Sequence, residues 1–226
     1  MCGRYSITTA PEAMRRLFRF ANPTPNLQPR YNAAPSQELP VVRLDKDGNR
    51  ELAMLRWGLL PAWADDPKIA YSMINARAET VPQKPAFRTA FRKRRCLVPA
   101  DGFYEWQALA DGKQPWRITM EDGGPFAMAG LWERWEKGDG VTGPGPAVES
   151  FTIIVTEANQ SLKPIHDRMP VILDPSTYDM WLESKDTTIP LALLQSPVSV
   201  RVTAYRVSKR VNAPKNDDAA VIEPAE

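Results

Sequence analysis

Arg95-Cys96-Leu97-Val98-Pro99-Ala100-Asp101-Gly102-Phe103-Tyr104-Glu105-Trp106-Gln107 contains two extended runs of different character. Cys96–Val98 is continuously apolar and reads as a buried strand. Gly102–Gln107 is rich in aromatics and reads as a second strand. In an extended segment side chains alternate, so Phe103 and Glu105 share one face and Tyr104 and Trp106 the other. A carboxylate held among aromatics has reason to keep its proton, which suits a general acid or base. An isolated strand glutamate also reads as a solvent-facing residue, and both readings of Glu105 stand at this point.

Outward from there the pattern repeats. Strands are expected at Leu39–Leu44 and Glu51–Trp57, joined through Asp47-Gly48, then at Trp116–Met120, Phe126–Trp132, Phe151–Thr156, Val171–Leu173 and Val198–Val207. Helices are expected at Thr9–Phe20, with Thr9 as cap and Pro11 in the first turn, at Phe87–Arg94, and at Asp174–Glu183. Pro23–Pro40 reads as an ordered loop and Gly138–Pro146 as a Gly/Pro-rich one. Many strands with a few short helices make the chain α+β. The core is mostly β, a mixed sheet that curls or closes, with helices at its periphery. A length of 226 residues fits one domain, 1–226.

Composition excludes several classes. A net charge of +2 gives no global basic field, so any nucleic-acid site is a local patch. No run approaches the ~20 apolar residues of a membrane span. Arg15, Arg16 and Arg19 mark the first twenty residues as an amphipathic helix and not a signal peptide. Two cysteines and one histidine suit a reducing cytoplasm and are too few for a common structural zinc site. Neither metal nor cofactor is expected, and a monomer is the default state.

Candidate chemistry lies in short motifs. His166, the chain's single histidine, sits between Pro164 and Pro170 beside Asp167 and Arg168. Its reference pKa of about 6.5 suits proton transfer, although a lone histidine is often structural. Asn75 in Ile74-Asn75-Ala76-Arg77 reads as an orienting amide or as a cap or turn residue. The basic run Arg88, Arg92, Lys93, Arg94 and Arg95 reads as phosphate-binding or as a solvated helix face. Trp57 and Trp63 offer stacking surfaces, with core packing the better reading for Trp57. Cys2 comes directly after the initiator methionine. Removal of Met1 would leave an amine and a thiol on neighbouring carbons, with reference pKa values of about 7.7–8.0 and about 8.5. Such a 1,2-aminothiol condenses with aldehydes to a five-membered ring.

These motifs together resemble the SRAP (SOS response-associated peptidase) family of abasic-site processing proteins. The matching stretches are MCGRY at 1–5, RYNAAP at 30–35, WGLLPAWA at 57–64, INARAET at 74–80, RRCLVPADGFYEW at 94–106, IHDRMP at 165–170 and VNAPKNDDAAVIEP at 211–224. They span nearly the whole chain in the family's order. The resemblance implies a compact, mostly β fold. It also implies a chain that forms a thiazolidine cross-link between Cys2 and the aldehyde of an abasic site in single-stranded DNA. Asn75, Glu105 and His166 would be the companion site residues. Arg4, Arg77 and Arg168 would hold the DNA backbone, and Trp63 would stack. The resemblance further implies a cytoplasmic location with nucleoid association on DNA, and lyase and self-processing peptidase activities are left open. The competing readings are a cysteine peptidase acting in trans and a non-covalent single-strand binding module. Only Met1 precedes Cys2, so no propeptide is expected.

Overall fold

The computed structural model describes residues 2–136, 147–195 and 201–225. Thirteen strands lie among the described residues: β1 (Tyr5–Ile7), β2 (Arg30–Ala33), β3 (Glu38–Leu44), β4 (Arg50–Trp57), β5 (Asn75–Arg77), β6 (Arg95–Ala100), β7 (Gly102–Leu109), β8 (Gly112–Met120), β9 (Phe126–Trp135), β10 (Val148–Glu157), β11 (Arg168–Pro170), β12 (Ile172–Leu173) and β13 (Val202–Arg206). Four short helices accompany them, α1 (Pro11–Phe18), α2 (Arg88–Lys93), α3 (Tyr178–Glu183) and α4 (Thr188–Gln195).

The strands form two sheets. One is antiparallel, in the order β13-β8-β7-β1-β2. The other closes on itself. β10 pairs with β4, β4 with β3, β3 with β6, β6 with β9, and β9 returns to β10. Only the β4–β10 seam of this ring is parallel, which makes the barrel mixed. Beyond the seam β10 continues, with β5 parallel on one edge and β11 antiparallel on the other. The α+β, mostly β architecture with a closed mixed sheet and peripheral helices is therefore as expected.

The core lies inside the barrel and between it and the first sheet. Trp57, fully buried, stacks near Phe151 at 6.2 Å between ring centroids and meets Tyr5 at 5.2 Å. Its indole N–H donates to Ile74 O at 2.9 Å, which satisfies the one polar group it buries. Core packing is thus its role.

Gly58 ends β4 with φ +117°, a conformation that L side chains rarely adopt. A Cβ there would lie 2.7 Å from Ala70 O. Gly58→Ala should therefore destabilise the fold by about 2 kcal/mol or more. Thermal unfolding should show a melting point lower by roughly 4–8 °C. An unchanged melting point would mean that the turn relaxes freely.

Several expectations need correction. The first helix starts at Pro11 with Ala10 at its cap and no side-chain capping bond, so Thr9 is not the cap. Thr9 N instead donates to Asp101 Oδ2 at 3.2 Å. Pro23–Pro40 is not all loop, since β2 and the start of β3 lie within it. Asp174 does cap, accepting from Ser176 N, but a 3₁₀ turn at Pro175–Thr177 precedes α3. Arg95 is buried, donating to Phe91 O at 2.7 Å and to the carbonyls of Trp181 and Ser184. It is unavailable to phosphate, whereas Arg88, Arg92 and Lys93 are exposed. The Gly138–Pro146 loop lies outside the described residues, as does the start of the Val198–Val207 strand, whose described part is β13.

Candidate active site

The chain's beginning is held by main-chain pairing. β1 is flanked by β2 and β7, with Tyr5 opposite both Ala33 and Phe103. Tyr104 N donates to Arg4 O at 3.0 Å and Asp101 N to Ser6 O at 2.9 Å. The Asp101 carboxylate then secures the end of β1 and the turn after it. It accepts from Ser6 Oγ at 2.6 Å, from Thr8 N and Thr8 Oγ1, and from Arg117 Nη2 at 3.2 Å. Arg4 donates to Asn32 Oδ1 at 2.8 Å and Val211 O at 2.7 Å. Its guanidinium thus ties β1 to the C-terminal segment, whose Asp217 also fastens it to β2 by accepting from the Tyr31 and Asn32 amides. Residues 4–9 are therefore anchored on both flanks, and Cys2 is fixed two residues upstream.

Cys2 is fully buried, with Sγ 4.0 Å from Arg4 O. Burial pushes its thiol well above the ordinary range, and the Glu105 carboxylate adds to the effect. This corrects the expectation of a thiol titrating near neutrality. In the folded chain the thiol keeps its proton.

Glu105 lies on β7, with a side chain only 4% exposed. Its Oε2 is 3.8 Å from Nε2 of His166, within ion-pair reach. Burial lifts Glu105 to about 7 and moves His166 below its ordinary value. Near neutral pH the pair is therefore a half-protonated carboxyl beside a neutral imidazole. His166 Nδ1 lies 2.9 Å from Arg168 N, 3.2 Å from Arg168 O and 3.1 Å from Asp167 Oδ1, while Nε2 faces Glu105.

Asn75 and Arg77 sit on β5, opposite Ile153 and Val155 of β10. Trp63, 58% exposed, joins them in the lining of a groove of about 580 Å³, together with Lys84 and Phe87. Asn75 Nδ2 donates to Ile74 O at 3.0 Å, while Asn75 Oδ1 is buried with no hydrogen-bond partner among the described residues. Arg77 is exposed. Arg168 pairs with Glu79, two residues after Arg77, and so links this groove to the His166 loop. The structure thus gathers the proposed residues into two neighbouring sets, Cys2–Glu105–His166 and Trp63–Asn75–Arg77, bridged by Arg168. Arg4 stands apart, its fork turned to acceptors on the chain itself.

Sequence reading missed Asp101 and Gln107. Asp101 carried no motif signal of its own. Gln107 is two residues beyond Glu105 on the same face of β7, a spacing that marks it as a neighbour of the site. Among the described residues no cluster of three or more His, Cys, Asp or Glu is arranged to hold a metal, and no helix is long and apolar enough to cross a membrane.

Comparison with known proteins gives a consistent picture. Residues 1–214 match the family described as SOS response associated peptidase (SRAP). The abasic site processing protein YoaM of Bacillus subtilis is 43% identical, over 99% of this chain and 98% of its own length. The abasic site processing protein HMCES of Xenopus tropicalis is 32% identical, over 96% of this chain and 76% of its own length. A crystal structure of a Bacteroides thetaiotaomicron protein superposes with a TM-score of 0.84 at 27% identity, covering 100% of both chains. One from Bordetella bronchiseptica gives 0.75 at 28% identity, over 92% of this chain and 100% of the other.

Proposed function

Because the chain belongs to the SOS response associated peptidase family, we propose that it processes abasic sites in single-stranded DNA by bonding Cys2, freed of Met1, to the lesion. One observation carries this reading: the buried Glu105 carboxyl lies 3.8 Å from His166 Nε2 and acts electrostatically on the buried Cys2 thiol, and its burial lifts it to about 7.

An abasic deoxyribose is mostly a closed hemiacetal. To open, it loses the hydroxyl proton at C1′ and gains one on the ring oxygen. Glu105, able to hold or release a proton near pH 7, suits that transfer. His166 Nε2 faces the same space and, in the tautomer that carries its proton there, donates to the developing oxyanion. The Cys2 amine then attacks C1′, and water leaves with a proton from Glu105, giving an imine. The Cys2 sulfur adds to the same carbon, its proton passing to nitrogen. The product is a thiazolidine of N, C1′, S, Cβ and Cα, and the balance is one aldehyde and one aminothiol to one ring and one water.

A thiol held protonated is compatible with this order, since the amine reacts first and the sulfur closes the ring from a tethered position. It argues against a cysteine peptidase acting in trans, whose attacking sulfur needs a lowered pKa. A purely non-covalent binding module leaves the near-neutral carboxyl without a use.

Asn75 Oδ1, lacking a partner among the described residues, is suited to accept from a sugar hydroxyl. Unpaired strands suit the site because a sugar without a base is accessible only outside the stack. Arg77 would meet a flanking phosphate and Trp63 a neighbouring base. Arg168 would contribute from its bond to Glu79, and Arg4 through its hold on β1. Arg77→Ala should weaken binding to intact single-stranded DNA and reduce the slope of log K against log salt by about 0.7. Fluorescence anisotropy across a salt series measures this, and an unaltered slope would remove Arg77 from the strand's path.

The direct test mixes the chain with a labelled single strand carrying one abasic site, then applies a denaturing gel and intact mass. The expected adduct weighs as the DNA plus the chain without Met1, less one water. Absence of any such species overturns the reading.

A further inference from the structure

The proposed reactive groups are divided between two sheets. Cys2 leads into β1, and Glu105 belongs to β7 of the antiparallel sheet. His166 belongs to the loop between β10 and β11 of the barrel. That loop closes on the barrel where Ala158 N donates to Asp167 O at 2.9 Å, and it is turned by bonds from Ile165 N and His166 N to Leu162 O. These contacts shape the loop, and none of them holds it against Glu105.

Gln107 does. It lies two residues beyond Glu105, so both side chains rise from the same face of β7. Its Nε2 donates to Pro164 O at 3.0 Å, in the His166 loop. Its Oε1 accepts from the indole N–H of Trp116 at 3.1 Å. Trp116 stands directly opposite Glu105 across the β7–β8 ladder. An indole N–H only donates and a carbonyl only accepts, so the two contacts together admit one orientation of the amide. Trp116 therefore sets the amide, and the amide sets the loop.

We infer that Gln107 is the positioning residue that fixes the His166 loop over Glu105, acting through its bridge from Trp116 to Pro164. It touches neither the lesion nor the reacting atoms. The inference rests on the proposed abasic-site chemistry for its consequence, and on the geometry alone for the link itself. Glutamine is the residue type the position requires. Glutamate would still accept from Trp116 but would face the Pro164 carbonyl with no proton to offer.

The test has a kinetic arm and a spectroscopic arm, both on the full chain. Single-turnover cross-linking to an abasic single strand should slow by about 10- to 100-fold in Gln107→Ala and in Gln107→Glu, the order expected for sub-ångström misplacement. His166→Ala combined with Gln107→Ala should be no slower than His166→Ala alone, because the amide acts only through the imidazole. Multiplying defects in the double variant would overturn the inference. The second arm uses His166 as the chain's single histidine, so its ring gives one NMR titration. The charges around it are the chain's N-terminal amine, Glu105 on β7, Asp167 in its own loop and Lys113 in the β7–β8 hairpin. Gln107→Ala should release the ring toward solvent and raise its midpoint toward about 6.5. An unmoved midpoint with a wild-type rate would sink the proposal. A wild-type chain that forms no adduct overturns the abasic-site reading instead, and the NMR arm then decides the Gln107 link.

Discussion

Cys2→Ala is expected to abolish the denaturation-resistant adduct with abasic single-stranded DNA, a fall of at least about 10³-fold in its yield. The variant keeps a terminal amine and can still form an imine, but that imine hydrolyses. What it loses is a sulfur tethered next to the imine carbon. Well-oriented intramolecular closures correspond to effective concentrations on the order of 10⁵ M or more, which free thiols in solution cannot approach. Borohydride should still trap the imine in Cys2→Ala, whereas the native chain should need no trapping. The side chain is fully buried, so the melting point must be measured alongside. A native-like melting point with no stable adduct supports the chemistry. The same stable adduct from Cys2→Ala would end it.

Glu105→Gln is expected to move activity and stability in opposite directions. Cross-linking should slow by about 10²- to 10⁴-fold, the range for loss of a positioned acid or base. Stability depends on the proton. In the unfolded chain the carboxyl titrates at its ordinary 4.5, and in the folded chain at about 7. Between those values the folded state holds the extra proton. Its contribution to stability is therefore fully present below about 4.5 and is lost as pH rises through about 7. Above that, the buried carboxylate weakens the fold by about 3 kcal/mol. Gln carries no such charge. The variant should be more stable than the native chain at pH 8, with the difference shrinking toward pH 5. His166 has the reverse dependence: its folded value is lowered, so its contribution is lost as pH falls below the ordinary imidazole range. A slower, more stable variant cannot be explained as misfolding. Thermal melts at pH 5 and 8 decide the point, and equal pH dependence in both chains would show that Glu105 does not titrate near 7.

Much of this was legible in the residues. Pro11 with Met14 and Phe18 marks α1, and the apolar runs flanking Asp47-Gly48 mark β3 and β4. Alternation after Gly102 marks β7 and singles out Glu105. Four strands were not legible. β1, β2, β5 and β11 have only three or four residues each, too few to establish a period. They are strands because β7 supplies a long partner for β1, β1 in turn pairs with β2, and β10 supplies a long partner for β5 and β11. Glu105, His166, Asn75 and Cys2 could be named from their motifs. The pairing of Glu105 with His166 could not be derived locally, because it depends on how two sheets pack. The turning of Arg4 toward Asn32 and Val211 was hidden for the same reason: its acceptors lie on β2 and in the C-terminal segment.

The parallel seam also bears on when the site comes into being. The ring closes where Ser150 and Phe151 of β10 meet Arg56 and Trp57 of β4, a pairing between distant parts of the chain. Such contacts carry a large loop-closure penalty and form late relative to local hairpins such as β3–β4 and β7–β8. β5 and β11 dock on the stretch of β10 beyond that seam, bringing Asn75, Arg77 and the His166 loop with them. On the proposed chemistry, folding would act as a safety catch. A nascent or partly open chain has a cysteine near its start, but no acid–imidazole pair to direct it against passing aldehydes.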